Sequence, residues 1–231
     1  MNLKWILLGI AWIIAVCPLS ARKINAVGWT DRLEKLFVRT ESDFKELQFR
    51  NNRASPMVDI GEIDTVLFYE KVPIKGENIY PVAEVDLINK GTELLLIFFP
   101  FKDGKGSKWK VVAKDDSLEK FPLDTIDIIN LTFKKMGGFV DKKKMVLEPM
   151  KTKRVDLSHI NKFSFQLKVN SFDQKSKKMK KQVRQSLSYR KGIRIIGIIM
   201  NENSKLETEP FWSIIRLGPN KDNLDMSRLL E

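Results

Sequence analysis

Glu93–Phe101 reads ELLLIFFPF and is apolar at every position from Leu94 to Phe99. A strand sends alternate side chains to opposite faces, so an unbroken apolar run of this length belongs to a strand covered on both sides. It is too short for an ordinary helix and predicts the central strand of a core. Its neighbours share its grammar. DTVLFYEKV (64–72), PVAEVDLI (81–88) and WKVVAKD (109–115) are short and rich in β-branched and aromatic residues, and IKGEN, NKGT and KDGKGS punctuate them. Strands follow strands here with no helical period between them.

The same pattern continues on both sides. Upstream, RLEKLFVRTESDFKELQFRNN (32–52) is best read as two strands with a turn at TESD, because its apolar residues fit no single helical stripe. Downstream, KDDSLEKFPLDTIDIINLTFKKMGGF (114–139) has the form of strand, turn and strand, with Ile126 and Ile128 offered to one face. KKMVLEP, TKRVDLS, FSFQLKVN, QVRQSLSYR, IRIIGIIM and PFWSIIRL follow, and in FSFQLKVN the residues Phe163, Phe165, Leu167 and Val169 alternate with polar ones. About a dozen strands with no sulfur bridges predict an all-β, sandwich-like, immunoglobulin-like protein of antiparallel sheets. No repeat at fixed spacing and no Pro/Ser-rich linker stands out. A single sandwich domain over residues 22–220 is expected. Two packed sandwiches are the alternative, divided at LSHINK (157–162), and residues 221–231 read as a polar, loosely held tail.

The first 21 residues carry a different signal. Lys4, the apolar run WILLGIAWIIAVC and the small residue Ala21 have the form of a signal peptide, and the run stops at Pro18, short of the roughly 20 residues a membrane span needs. The expectation is a secreted protein of the periplasm or the extracellular space, with lipid attachment at Cys17 as the minor alternative. Cleavage after Ala21 discards the single cysteine, so the core must hold the mature chain without disulfides. It also removes one lysine and no acid from the formal charge of +12, leaving about +11 and favouring anionic partners.

Catalytic signals are weak. Asp115, Asp116 and Ser117 suit turn chemistry, since Asp and Ser side chains bond local backbone N–H groups. His159 is the only histidine and sits in a polar connection with no nucleophile motif nearby. A mature chain without cysteine has no thiol nucleophile and no zinc site of the usual His/Cys type, so no catalytic residue, metal ligand or cofactor is assigned. The rival class is a carbohydrate-active or other hydrolase on a β scaffold, which would use two carboxylates far apart in sequence. Trp109 and Trp212 fall in strand-like segments and read as packing residues, whereas Trp29 lies in the polar lead as a candidate docking residue.

The most unusual segment is Ser171–Arg194, in which nine lysines and arginines accompany one acid, Asp173. Such a run repels itself and cannot pack, so DQKSKKMKK (173–181) is expected to be an exposed loop, the tip of a basic hairpin joining the strands FSFQLKV and QVRQSLSYR. Lys175, Lys177, Lys178, Lys180, Lys181 and Arg184 are the candidate binding residues of this basic patch. Their partner would be an anionic envelope component: lipid head groups, an acidic polysaccharide or an acidic protein. Nucleic acid fits less well, because the run lacks interleaved aromatics for base stacking. Oligomeric state is not legible.

Taken as a set, VLFYEKV with YPVAEVDLI, ELLLIFFPF, DDSLEKFP, IINLT and MVLEP resemble an uncharacterised family of exported, β-rich bacterial envelope proteins, over about Asp64–Pro149. The resemblance implies an envelope location and no activity. That family places small-residue turn chemistry after FP and a glycine after LEP. Here Leu123-Asp124-Thr125 and Met150 stand instead, so those turns must differ or carry strain.

Overall fold

The computed structural model describes residues 21–28, 33–49, 54–75, 77–100, 108–173, 178–201 and 210–217. The expected signal peptide (1–20 of its 21 residues), Trp29, Lys175, Lys177 and the C-terminal tail lie outside them. The described residues form sixteen strands and no helix. In chain order the first eight are β1 (Arg22–Gly28), β2 (Lys35–Arg39), β3 (Phe44–Gln48), β4 (Val58–Gly61), β5 (Thr65–Tyr69), β6 (Ala83–Asp86), β7 (Glu93–Pro100) and β8 (Trp109–Asp115). The second eight are β9 (Thr125–Asn130), β10 (Met136–Val140), β11 (Lys143–Leu147), β12 (Thr152–Asp156), β13 (Ser164–Asp173), β14 (Lys178–Ser188), β15 (Arg194–Asn201) and β16 (Pro210–Leu217).

These strands make four sheets of four. In the first half, β4-β1-β7-β8 faces β3-β2-β5-β6, and in the second half β12-β9-β15-β16 faces β11-β10-β13-β14. Adding eight to each strand number converts the first pair of sheets into the second. Most neighbours are antiparallel, but β1 runs parallel to β7 and β9 runs parallel to β15, so the fully antiparallel expectation is corrected at one pair in each half. The chain passes from one half to the other between β8 and β9. LSHINK instead joins β12 to β13, and Leu157 and Ile160 belong to the core of the second half.

The registers carry the repeat down to single residues. Ile24 opposite Leu94 corresponds to Ile126 opposite Ile195, and Gly28 opposite Phe98 to Asn130 opposite Ile199. Smaller details recur as well. Asp59 accepts the Gly61 N–H and Asp156 accepts the Ser158 N–H, while Lys45 and Lys143 each donate to the carbonyl of that aspartate.

Three apolar layers follow from this arrangement. One lies between the two sheets of the first half and includes Leu36, Phe68, Leu94, Leu96 and Phe98. A second lies inside the second half and includes Met145, Phe165, Leu167 and Ile195. The third joins the halves, where Val27, Leu95, Ile97 and Phe99 meet Ile129, Ile196, Ile198 and Leu217. The double burial of ELLLIFFPF now has its cause: even-numbered residues of β7 face the first half's own second sheet, and odd-numbered ones face the other half.

Among the described residues four non-glycines, Asn89, Asp124, Asp141 and Met150, lie in the left-handed region, where a Cβ atom crowds the following carbonyl. Asp124 has φ 56° and Met150 has φ 55°, at the two places where the sequence departs from small-residue turns. Asp124 is tied down, because its Oδ1 accepts the Tyr189 hydroxyl at 2.6 Å and the Gly192 N–H at 2.8 Å. The side chain of Met150 is exposed.

Candidate functional site

Charged side chains converge at the seam between the halves. Asp127 on β9 is 1% exposed at its side chain and accepts Lys114 Nζ at 2.6 Å, Arg154 Nε at 2.7 Å and Arg154 Nη2 at 2.8 Å. Burial alone would raise this carboxyl, but the hydrogen bonds from Arg154 and Lys114 outweigh it and hold the pKa below its ordinary value. Phe121, fully buried in the connection between the halves, lies under three cations: Lys114 Nζ at 4.2 Å, Arg194 Cζ at 5.1 Å and Arg154 Cζ at 5.5 Å from the ring centre.

A second ion pair lies deeper. Arg194 and Asp116 are each 3% exposed, and Arg194 Nη1 sits 3.0 Å from Asp116 Oδ1 while donating to the Asp116 carbonyl at 2.6 Å. Asn25 Nδ2 donates to Asp116 Oδ2 at 3.1 Å. Burial raises the pKa of Asp116 against the opposing pull of Arg194, Asn25 and Lys114. Of the DDS triplet, Asp115 and Ser117 do make the expected turn, with Ser117 N and Oγ donating to Asp115 Oδ1 at 3.0 and 2.6 Å. Asp116 does something else, which the sequence does not reveal.

A cavity of about 360 Å³ opens at this seam, lined by Val112, Ala113, Lys114, Asp127, Ile129, Thr152 and Arg154. Asp127 is the one carboxylate among the described residues of that lining, and its oxygens are occupied by Lys114 and Arg154. The two-carboxylate hydrolysis considered from sequence therefore has no second acid in this cavity. Among the described residues no group of three His, Cys, Asp or Glu side chains is placed to hold a metal ion. His159 is exposed in the turn between β12 and β13.

The basic hairpin is β13 and β14, paired from Ser164–Ser188 to Asp173–Lys178 with a register shift between Val169 and Asn170, so the loop expected over 173–181 is corrected: ladder pairing carries the strands on through Asp173 and from Lys178. Lys178 stands opposite Asp173, Lys180 opposite Ser171 and Lys181 opposite Asn170, while exposed Arg184 stands opposite exposed Lys168. The sheet adds what the sequence run alone does not contain. Lys144 of β11, Phe139 of β10, Lys168 of β13 and Arg184 of β14 are successive cross-strand partners, and all four are exposed. With strands about 4.8 Å apart, this row crosses the whole outer face of the sheet.

The outer face of the first half serves as an internal control. Phe37 occupies the place of Phe139, but Glu46 pairs with it where Lys144 pairs with Phe139. Glu84, opposite Leu67, takes the place of Ser186 opposite Gln166. The first half's outer face thus mixes exposed acids, Glu46 and Glu84, with exposed Lys35 and Arg39, whereas the row across the second half's outer face holds cations without an acid. Set beside known proteins, the chain matches no family model and no curated protein.

Proposed function

We propose that this is an exported, immunoglobulin-like sandwich protein of the bacterial cell envelope that acts as a binding or structural-association module. Its contact surface is the outer face of the β11-β10-β13-β14 sheet and the basic hairpin that edges it. The observation that carries the reading is the row Lys144, Phe139, Lys168 and Arg184, which puts three cations and an aromatic side by side across four strands with no acid among them. A fold needs no such row, since the first half builds the equivalent sheet with Glu46 at the matching position. Export is supported by the leader and by the start of β1 at Arg22, the residue after the expected cleavage point.

The partner class is anionic, because cations on an exposed face attract negative surfaces and lose that attraction as salt rises. Changing Lys177, Lys178, Lys180 and Lys181 to glutamine is expected to weaken binding to an acidic polysaccharide or to anionic vesicles and to flatten its salt dependence. Binding that is unchanged and indifferent to salt would refute the assignment.

A further inference from the structure

The end of the second half, where β9 finishes and β10 begins, presents apolar side chains to solvent. Phe133 is 68% exposed in the β9–β10 loop, and Met150 is 49% exposed in the β11–β12 loop. Both loops are held from beneath by Asn130, which is fully buried. Its Nδ2 donates to the carbonyls of Lys134 at 2.8 Å and Glu148 at 3.1 Å, its Oδ1 accepts the Thr132 hydroxyl at 2.7 Å, and its N–H donates to the Lys151 carbonyl at 2.9 Å. Met150 N also donates to the Thr132 carbonyl at 3.3 Å, tying one loop to the other. The two apolar tips therefore stand on a fixed platform. Loose loops would fold such side chains back onto the core.

Met150 keeps a left-handed backbone that glycine adopts without cost, while half of the residue stays open to solvent. Lys134, Lys135 and Lys151 neighbour the tips along the chain, with Glu148 paired to Lys135 at 2.6 Å, and the described strand ends Asp173 of β13 and Lys178 of β14 lie at the same end. In the first half Gly28 takes the place of Asn130, and the residue three further along the chain is Asp31, where the second half has Phe133.

We propose that this end is a membrane-interface anchor, with Phe133 and Met150 entering the head-group region of a bilayer containing anionic phospholipid and the neighbouring lysines binding its phosphates. The inference rests on the anionic-partner reading and narrows it to one occupant. Apolar tips with neighbouring lysines suit a surface that is charged outside and apolar within, whereas a soluble polyanion gives Phe133 and Met150 nothing to enter.

The test is sedimentation of the purified chain with phosphatidylcholine vesicles, with and without phosphatidylglycerol, at low and high salt. Phe133→Ser and Met150→Ser should each weaken binding to the anionic vesicles about tenfold, as expected for a large apolar side chain withheld from the interface. Their loss should persist at high salt, where the four-lysine variant approaches the wild type. Met150→Gly guards against misfolding, since it should bind vesicles less well while unfolding at a higher temperature. Wild-type binding by the tip variants would overturn the anchor, and a lysine-dependent loss in the same experiment would leave the anionic-partner reading standing. Binding to a soluble acidic polysaccharide with none to vesicles would do the same. Lysine substitutions without effect on any anionic ligand would overturn both.

Discussion

Arg194→Met tests the buried ion pair at the seam most directly. Methionine roughly keeps the length of the side chain and removes its charge, leaving Asp116 at 3% exposure with Asn25 as its remaining close side-chain donor. Breaking a buried pair on one side typically costs about 3–5 kcal/mol, against a total stability of about 5–15 kcal/mol. The cost should depend on pH in a definite direction. Burial already raises the pKa of Asp116, and Arg194 is the largest influence pulling it back down, so the substitution raises it further. An acid whose folded pKa is raised favours the folded state at pH values below its unfolded pKa and loses that contribution as pH climbs through the folded value. The variant's deficit should therefore be full at pH 7 and smaller at pH 4, shrinking by about 1.4 kcal/mol for each unit of the added shift. Asp127 titrates in the opposite sense but is present in both proteins, and it cancels when each variant is compared with wild type at the same pH. Urea unfolding at the two pH values is the assay. Asp116→Asn with Arg194→Met should be more stable at pH 7 than Arg194→Met alone, because no unpaired charge remains buried. An equal deficit at both pH values, or a double variant no better than the single, would refute the reasoning.

Three further substitutions probe other parts of the frame. A Cβ at Gly138 would overlap the main-chain carbonyl of Lys168 on the neighbouring strand, so Gly138→Ala should cost about 3 kcal/mol in urea unfolding. Gly137→Ala, whose nearest neighbour is the Met145 carbonyl oxygen at 4.0 Å, should stay within about 0.5 kcal/mol of wild type. Met150→Gly releases left-handed strain of about 1–2 kcal/mol but frees the unfolded chain, for a net gain of about 0.5–1 kcal/mol and a thermal midpoint raised by a few degrees. Asp127→Asn removes a carboxylate with three charge-assisted hydrogen bonds and should cost about 2 kcal/mol at neutral pH. Because its folded pKa is lowered, Asp127 loses its contribution as pH falls through that value, and the variant should lack this acid-limb loss in stability measured from neutral pH downward.

Strand identity was largely legible because it depends on local pattern. TESD does form the turn between β2 and β3, and the alternation in FSFQLKVN does sort Phe165, Leu167 and Val169 inward. Phe163 departs from that alternation, being 93% exposed just before β13, beyond the cover of the core. β1 was hidden for a different reason. RKINAVG opens with two cations and buries a polar residue, since Asn25 reaches Asp116 inside while Arg22 pairs with Asp64 at the surface, so an interior strand looks like a polar lead. The seam was not legible at all, because Arg194 and Asp116 meet across 78 residues and Asn25 and Asp116 across 91. Nor was the repeat, since the halves agree in hydropathy and register far more than in residue identity. Leu95 and Ile97 correspond to Ile196 and Ile198, a match that packing enforces and letters obscure.

Two copies of one frame in a single chain separate what folding demands from what it leaves free. Where the halves agree, as in the aspartate turns at Asp59 and Asp156 and the lysines that reach over them, the frame itself supplies the reason. Where they differ at an exposed position, the frame supplies none. Glu46 and Lys144 pair with equivalent phenylalanines on equivalent sheets, so neither charge is needed to build the sheet. Gly28 and Asn130 end equivalent strands, yet only Asn130 organises two loops and holds Phe133 and Met150 outward. Relaxed constraint would leave such positions random in character. Instead the row Lys144, Phe139, Lys168 and Arg184 departs in one direction, toward cations on the outer face of the second half. That common direction is the physical ground on which the proposed contact surface is placed on the second half.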